Sequence, residues 1–154
     1  MKTKLPDFWT GEDISILDGV KTFGDIGEVA LKVVQRFPIP HGQVCGPLST
    51  GGTGSFEANV QAMAHAIGRL KSEGKPLFSQ LPMEDSMLRV KAIQGARHDP
   101  FELLEEVYGR IFKTGKVNPL YFMQNWKESQ GARWEHERGL QHSLEIIYLR
   151  PKYS

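Results

Sequence analysis

Cysteine is nearly absent from this sequence. Cys45 is the only one, so no intramolecular disulfide and no cysteine-built zinc site can form, and nothing calls for an oxidising compartment. Long hydrophobic runs are missing too: no stretch approaches the ~20 apolar residues that span a bilayer. The opening residues MKTKLPDFWTGED show no apolar segment after their lysines, which sets the expectation of a cytoplasmic chain without a signal peptide. An excess of one charge is also lacking. With 19 Lys and Arg against 18 Asp and Glu, the net charge of +1 provides no field to draw in a nucleic-acid polymer or an anionic membrane. The histidines His41, His65, His98, His136 and His142 include no i, i+4 pair with a third ligand nearby, so no metal site is expected.

What is present fits one folded unit. At 154 residues, 40% of them hydrophobic, the chain can bury one core and is too short for two ordinary domains. Residues 1 to 24 read as an arm, with Phe8 and Trp9 placed to lie on the body or on a neighbouring subunit. From Asp25 the apolar positions Ile26, Val29, Val33, Val34 and Phe37 recur at helical spacing, with Asp25 as the cap and Pro38 and Pro40 as the stop. A first strand over Val44 to Leu48 runs into GPLSTGGTGS, and a helix follows from Phe56 to Glu73. KPLFSQLPMED reads as a second strand, and a short helix is expected around Met87 to Ile93. FELLEEVYGRIFKTG is an amphipathic helix, NPLYFMQNW a third strand, SQGARWEHERGLQHS a helix and LEIIYL a fourth strand. This alternation predicts an α/β fold, a doubly wound, mainly parallel sheet of four to five strands with helices on both faces. Ligands of such sheets sit beyond the carboxyl ends of the strands, so the loops at 46–55, 81–85 and 125–131 should gather around one crevice.

Two loops there carry candidate chemistry. The glycines of GPLSTGGTGS let backbone N–H groups approach an anion, although the loop lacks both the GxGxxG spacing and the terminal Gly-Lys-Ser/Thr of nucleotide loops and serves equally as a flexible turn. In WKESQGARWEHE, Ser129 is placed to cap a helix whose first turn Gly131 leaves open, and Glu135 lies six residues further on. A carboxylate so placed can attack an anomeric carbon and hold the sugar as an ester. The same spacing suits a solvated helix face on which Glu135 pairs with Arg133 or Arg138. Trp126 is placed either to stack on a base or to pack against the sheet end.

The stretch YFMQNWKESQGARWEHERGLQHSLEIIYL resembles the strand, W-x-x-S-x-G-A-x-x-E helix and final strand of small bacterial and phage proteins related to nucleoside 2-deoxyribosyltransferases. Its Ser129-x-Gly131-x-x-x-Glu135 spacing is also similar to that of 2'-deoxynucleoside 5'-phosphate N-hydrolases, and CGPLSTGG resembles their first strand and Gly-rich loop. The resemblance spans roughly residues 43 to 150. It implies a Rossmann-like, flavodoxin-like domain over 43–154, with residues 1–42 as an arm and helix packed on it. It also implies cleavage of an N-glycosidic bond, or deoxyribosyl transfer, on a nucleoside or its 5'-monophosphate, without metal or organic cofactor, in a homo-oligomer. On matching positions Glu135 becomes the nucleophile, Ser129 and Gly131 hold the sugar 5' side or phosphate, and Gly46, Pro47, Ser49, Gly51 and Gly52 line the pocket with Trp126. Related sequences commonly carry an aspartate entering the third strand, where this chain has Asn118, which cannot donate a proton as an acid can. Protonation of the leaving base then falls to Asp85 or Glu84. The competing expectation is a non-catalytic nucleotide-binding or sensing domain using the same crevice. A structural protein, its crevice blocked by the arm, is the third.

Overall fold

Hydroxyl side chains open the helices, including one inside the segment read as an arm that the sequence pattern does not anticipate. In a computed structural model of the chain, which describes residues 5–48, 52, 54–95 and 100–154, Thr10 caps α1 (Gly11–Gly19) in a reciprocal box with Asp13. Thr22 caps α2 (Phe23–Gln35), and Ser55 caps α3 (Phe56–Ser72). Helix α2 thus starts before the expected cap: Asp25 lies in its first turn and donates its backbone N–H to the Thr22 hydroxyl. The short helix expected near Met87 is α4 (Glu84–Gln94). Residues 100–112 form α5, which is α-helical at Pro100–Leu103 and Arg110–Phe112 but widens into a π-helix over Leu104–Gly109. Helix α6 (Gln130–Gln141) begins under Ser129, whose hydroxyl accepts from the Ala132 N–H.

The strands are β1 (His41–Cys45), β2 (Val117–Phe122) and β3 (Ile146–Tyr148), a parallel sheet in the order β1-β2-β3. Three strands therefore stand where four to five were expected. The segment after α3 meets β1 only at a Gly42–Leu77 bridge, where Gly42 N donates to Pro76 O at 2.9 Å and Phe78 N donates to Gly42 O at 2.8 Å. Pro76 has no N–H to extend the ladder, and beyond Phe78 the chain turns into the 3-10 segment Leu81–Met83. Strand β1 also starts earlier than Val44 and ends before Gly46, fixed by pairing that runs from His41–Val117 to Cys45–Phe122. Asn118 lies at the entry of β2, the far end from the strand's carboxyl terminus, where its Oδ1 accepts from the Glu145 N–H at 2.9 Å. It ties β2 to the approach of β3 and is remote from the crevice.

Both faces of the sheet are covered. Val117, Leu120 and Phe122 point into a core shared with α2 and α5, and Val44, Tyr121 and Met123 into a second core under Met63, Ala66 and Leu70 of α3. Each such burial stabilises the fold by roughly 1.5–3 kcal/mol. The arm lies on this body: Phe8 meets Phe37 edge-on with centroids 5.3 Å apart, and the Trp9 indole N–H donates to Ser79 O at 2.9 Å. The boundary drawn at residue 42 falls inside β1, and Trp9, Phe23 and Phe37 share one core with Cys45 and Phe122. Among the described residues, no helix is long and apolar enough to cross a membrane.

Candidate active site

At the carboxyl end of the sheet three segments converge: Gly46 to Leu48 after β1, Gln80 to Glu84 leading into α4, and the first turns of α6. They enclose a cavity of about 70 Å³, with Tyr108 from the π-helical part of α5 in its wall. A π-helix adds a residue to a turn and rotates the side chains beyond it, and such segments recur at functional sites. The larger hollows, about 330 Å³ between the arm and α3 and about 270 Å³ beside the last residues, are lined by no buried carboxyl.

Two carboxyls line this cavity, one from α6 and one from α4. Glu135 on α6 is 6% exposed and Glu84 at the start of α4 is 8% exposed. Glu135 Oε2 accepts from Gln43 Nε2 at 2.5 Å, and Cys45 lies beside the same pair. Burial pushes Glu135 up to about 8, the charge of Glu84 adds to this, and hydrogen bonds from Cys45 and Gln43 oppose it. Burial likewise pushes Glu84 up to about 7, with Lys91 pulling down and Asp85 pushing up. Glu84 raises Glu135, and buried carboxyls that interact in this way titrate as a pair. The donors beside Glu135 favour its ionised form but burial outweighs them, so near neutral pH the two carboxyls share one proton; a nucleophilic Glu135 needs that proton on Glu84, whose Oε1 has no donor among the described residues. The Cys45 thiol is pushed well up, by burial and then by Glu135, which makes it an inert buried group. Burial, followed by the charges of Glu84 and Glu135, also raises Tyr108.

Several of the expected site residues meet here. Gly46 lines the cavity, and a Cβ on it would lie 2.5 Å from Met123 Sδ. Ser129 and Gly131 line it too, Gly131 leaving a Cβ-sized space whose nearest neighbour is Leu104 Cδ2 at 3.7 Å. Pro47 is buried next to Gly46 but, like Gly52, does not line the cavity. Gly52 takes φ +66, and a Cβ there would lie 2.5 Å from Asn59 Oδ1, while Asn59 Nδ2 donates to Leu48 O at 2.8 Å and ties the loop to α3. Ser49 and Gly51 lie outside the described residues.

Two expected residues are elsewhere. Asp85 stands exposed on α4, and its neighbour Glu84 takes the place in the wall. Trp126 stacks on His136 with centroids 4.3 Å apart and meets Phe122 edge-on, a packing role away from the cavity lining. Sequence reasoning missed Gln43, Gln80 and Tyr108. The only signal for the glutamines was an amide within otherwise apolar strand segments. None of residues 5–24 lines the cavity, so the described part of the arm does not block it. Compared with known proteins, the chain matches no family model, no curated protein and no solved structure.

Proposed function

We propose that this chain cleaves the N-glycosidic bond of a nucleoside or its 5'-monophosphate, or transfers the sugar to a second base, through a covalent sugar ester on Glu135. The observation that carries the reading is the presence of two buried carboxyls on one cavity, Glu135 with a Gln43 donor and Glu84 with its Oε1 unpaired among the described residues. The frame is a Rossmann-like, flavodoxin-like one, supported by the parallel sheet, by helices on both faces and by the place of the crevice at the strands' carboxyl ends. It also agrees with the Ser129, Gly131 and Glu135 spacing shared with deoxyribosyltransferase-like proteins.

In the first step a Glu135 oxygen bonds to C1' as the bond from C1' to the base nitrogen breaks. The departing electron pair stays on the base, which takes the Glu84 proton. In the second step water, or another base, attacks C1', its proton passes to Glu84, and Glu135 leaves as carboxylate. Net configuration is retained. The amide of Gln43 holds the nucleophile's second oxygen in place. A cavity of about 70 Å³ is smaller than a nucleoside; a water takes about 30 Å³ of liquid volume. Substrate entry must therefore part its walls, Leu48 and Leu103 among them.

The test is base release from ribo- and deoxyribonucleosides and their 5'-monophosphates, with and without an acceptor base, for the wild type and Glu135→Ala. Release by the wild type that vanishes in the variant is the expected result. A nucleotide that binds and raises the melting temperature without release would replace this reading by the non-catalytic sensor.

A further inference from the structure

Native proteins leave few buried polar atoms unpaired, because each forfeits hydration without a substitute. Three such oxygens belong to the residues around this crevice: Oε1 of Gln43, of Gln80 and of Glu84 have no donor among the described residues. That of Glu84 is accounted for by proton delivery to the base. That of Gln80 is not. Gln80 is 2% exposed and lines the cavity one helical turn before Glu84. Its Nε2 donates to the backbone oxygen of Val44 at 2.7 Å and lies 3.3 Å from Met63 Sδ. A carbonyl oxygen can only accept, so the NH₂ end of the amide must face it, and Oε1 is left as a bare acceptor. Gln80 and Glu135 line the same cavity of about 70 Å³, so the residue that carries this acceptor shares one small space with the nucleophile.

We propose that Gln80 is a specificity-determining residue whose Oε1 accepts a hydrogen bond from a ring hydroxyl of the pentose, so that the site takes hydroxylated pentosides and rejects analogues lacking that hydroxyl. The identity of the donor rests on the glycosidase reading: the part of a substrate that reaches deepest, beside the nucleophile, is the anomeric carbon and its ring, and the base stays further out. The need for a donor does not rest on it, since a buried, oriented acceptor calls for one whatever the chemistry. Sites built to pair a substrate hydroxyl discriminate strongly against its absence, because the protein group is then stranded.

The experiment compares kcat/KM for base release from four substrates with one base, bearing ribose, 2'-deoxyribose, 3'-deoxyribose or 2',3'-dideoxyribose. The wild type should prefer the hydroxylated substrates over the dideoxy one by about tenfold or more, and the analogue that loses rate names the hydroxyl. In Gln80→Leu that preference should shrink to near unity, the loss falling on the substrates that carry the hydroxyl. A Gln80→Leu that slows all four alike, each compared with its own wild-type rate because sugars lacking hydroxyls lose the base faster unaided, overturns the proposal. In parallel, D-ribose and 2-deoxy-D-ribose are titrated calorimetrically into the wild type and Gln80→Leu. Sugar binding that is lost in the variant, in a protein that releases no base, would sink the glycosidase reading and keep the role of Gln80. Absence of base release together with absence of sugar binding overturns both.

Discussion

Two regions of this molecule bury carboxyl groups, and they treat them in opposite ways. On the arm, Asp13 is 2% exposed but accepts from the Thr10 N–H at 2.8 Å and from both terminal nitrogens of Arg36, at 2.6 and 3.0 Å. The Arg36 hydrogen bonds hold its carboxyl below the ordinary range against the opposing effect of burial. In the crevice, Glu135 has one amide donor and a thiol, Glu84 Oε1 has no donor among the described residues, and both carboxyls rise. Both regions hide their carboxyls from solvent, but Asp13 lies near the surface beside Arg36 whereas Glu135 and Glu84 lie deep, so depth and partners together decide the outcome. Where the side chains are saturated, the charge knits α1 to α2. Where they are left short of donors, the protein keeps a movable proton and free acceptors, as a site must and a scaffold need not.

The comparison breaks most sharply on Glu84. Glu84→Gln keeps the shape but removes the proton, and base release should fall by about 10²- to 10⁴-fold, the usual contribution of a general acid. Asp85→Asn, next to it on the exposed side of α4, should stay near wild type. The wild-type pH profile of kcat/KM should be a bell, rising as the pair loses its first proton near 7 and falling as it loses the second near 8. Glu84→Gln should flatten the alkaline limb. Equal losses at Glu84 and Asp85 would show that the wall position confers nothing.

A second effect separates the regions by pH. Glu84 and Glu135 hold protons more tightly folded than unfolded, so as pH climbs from about 4.5 toward 7 and 8 the unfolded chain releases its protons first and stability declines. Each unit of raised affinity corresponds to about 1.4 kcal/mol. Urea midpoints should therefore be higher at pH 5 than at pH 8 for the wild type and nearly level for the Glu84→Gln, Glu135→Gln double variant. Asp13 has the opposite sign: its contribution is present above its unfolded value of 3.8 and is lost as pH falls through its lowered folded value. A wild-type midpoint that climbs from pH 5 to 8 would contradict the account of the crevice.

The scaffold was more legible in the sequence than the crevice, for a physical reason. Helix signals are local: Ser129 caps where its spacing says it should, and the helix expected from Phe56 to Glu73 runs from Phe56 to Ser72. Strand pairing is not local. Nothing in KPLFSQLPMED shows that its ladder ends after a single bridge, and nothing near His41 shows that β1 begins there, because both depend on what β2 offers opposite. The spacing on α6 located Glu135, but the choice between Glu84 and Asp85 depends on the phase of α4. Neighbours on a helix point ~100° apart, and Met83, Met87 and Val90 turn the Glu84 side inward. Trp126 was ambiguous for a similar reason, since its stacking partner His136 becomes its neighbour only once α6 has folded back. The π-helical stretch that presents Tyr108 left no mark in the spacing of FELLEEVYGRIFKTG.

The smallest expected effect lies on the arm. Asp13→Ala removes both Arg36 hydrogen bonds and the carboxylate half of the α1 capping box, while Thr10 keeps its own bond to the residue-13 N–H. Arg36 is 35% exposed and can turn to water once its partner is gone, so it escapes most of the penalty of a stranded buried charge. The loss should therefore come to about 2 kcal/mol, near that of a cap plus a charged hydrogen bond. It would appear as a lower urea midpoint with an unchanged slope. Base release per folded molecule should not move, because none of the described arm residues lines the cavity. An Asp13→Ala protein as stable as the wild type would mean that Phe8, Trp9 and Phe37 hold the arm by packing alone, with the ion pair along for position. A fall in base release at full folding would instead join the two regions, and the division between scaffold and site would have to be redrawn through Trp9 and its bond to Ser79, the residue before Gln80.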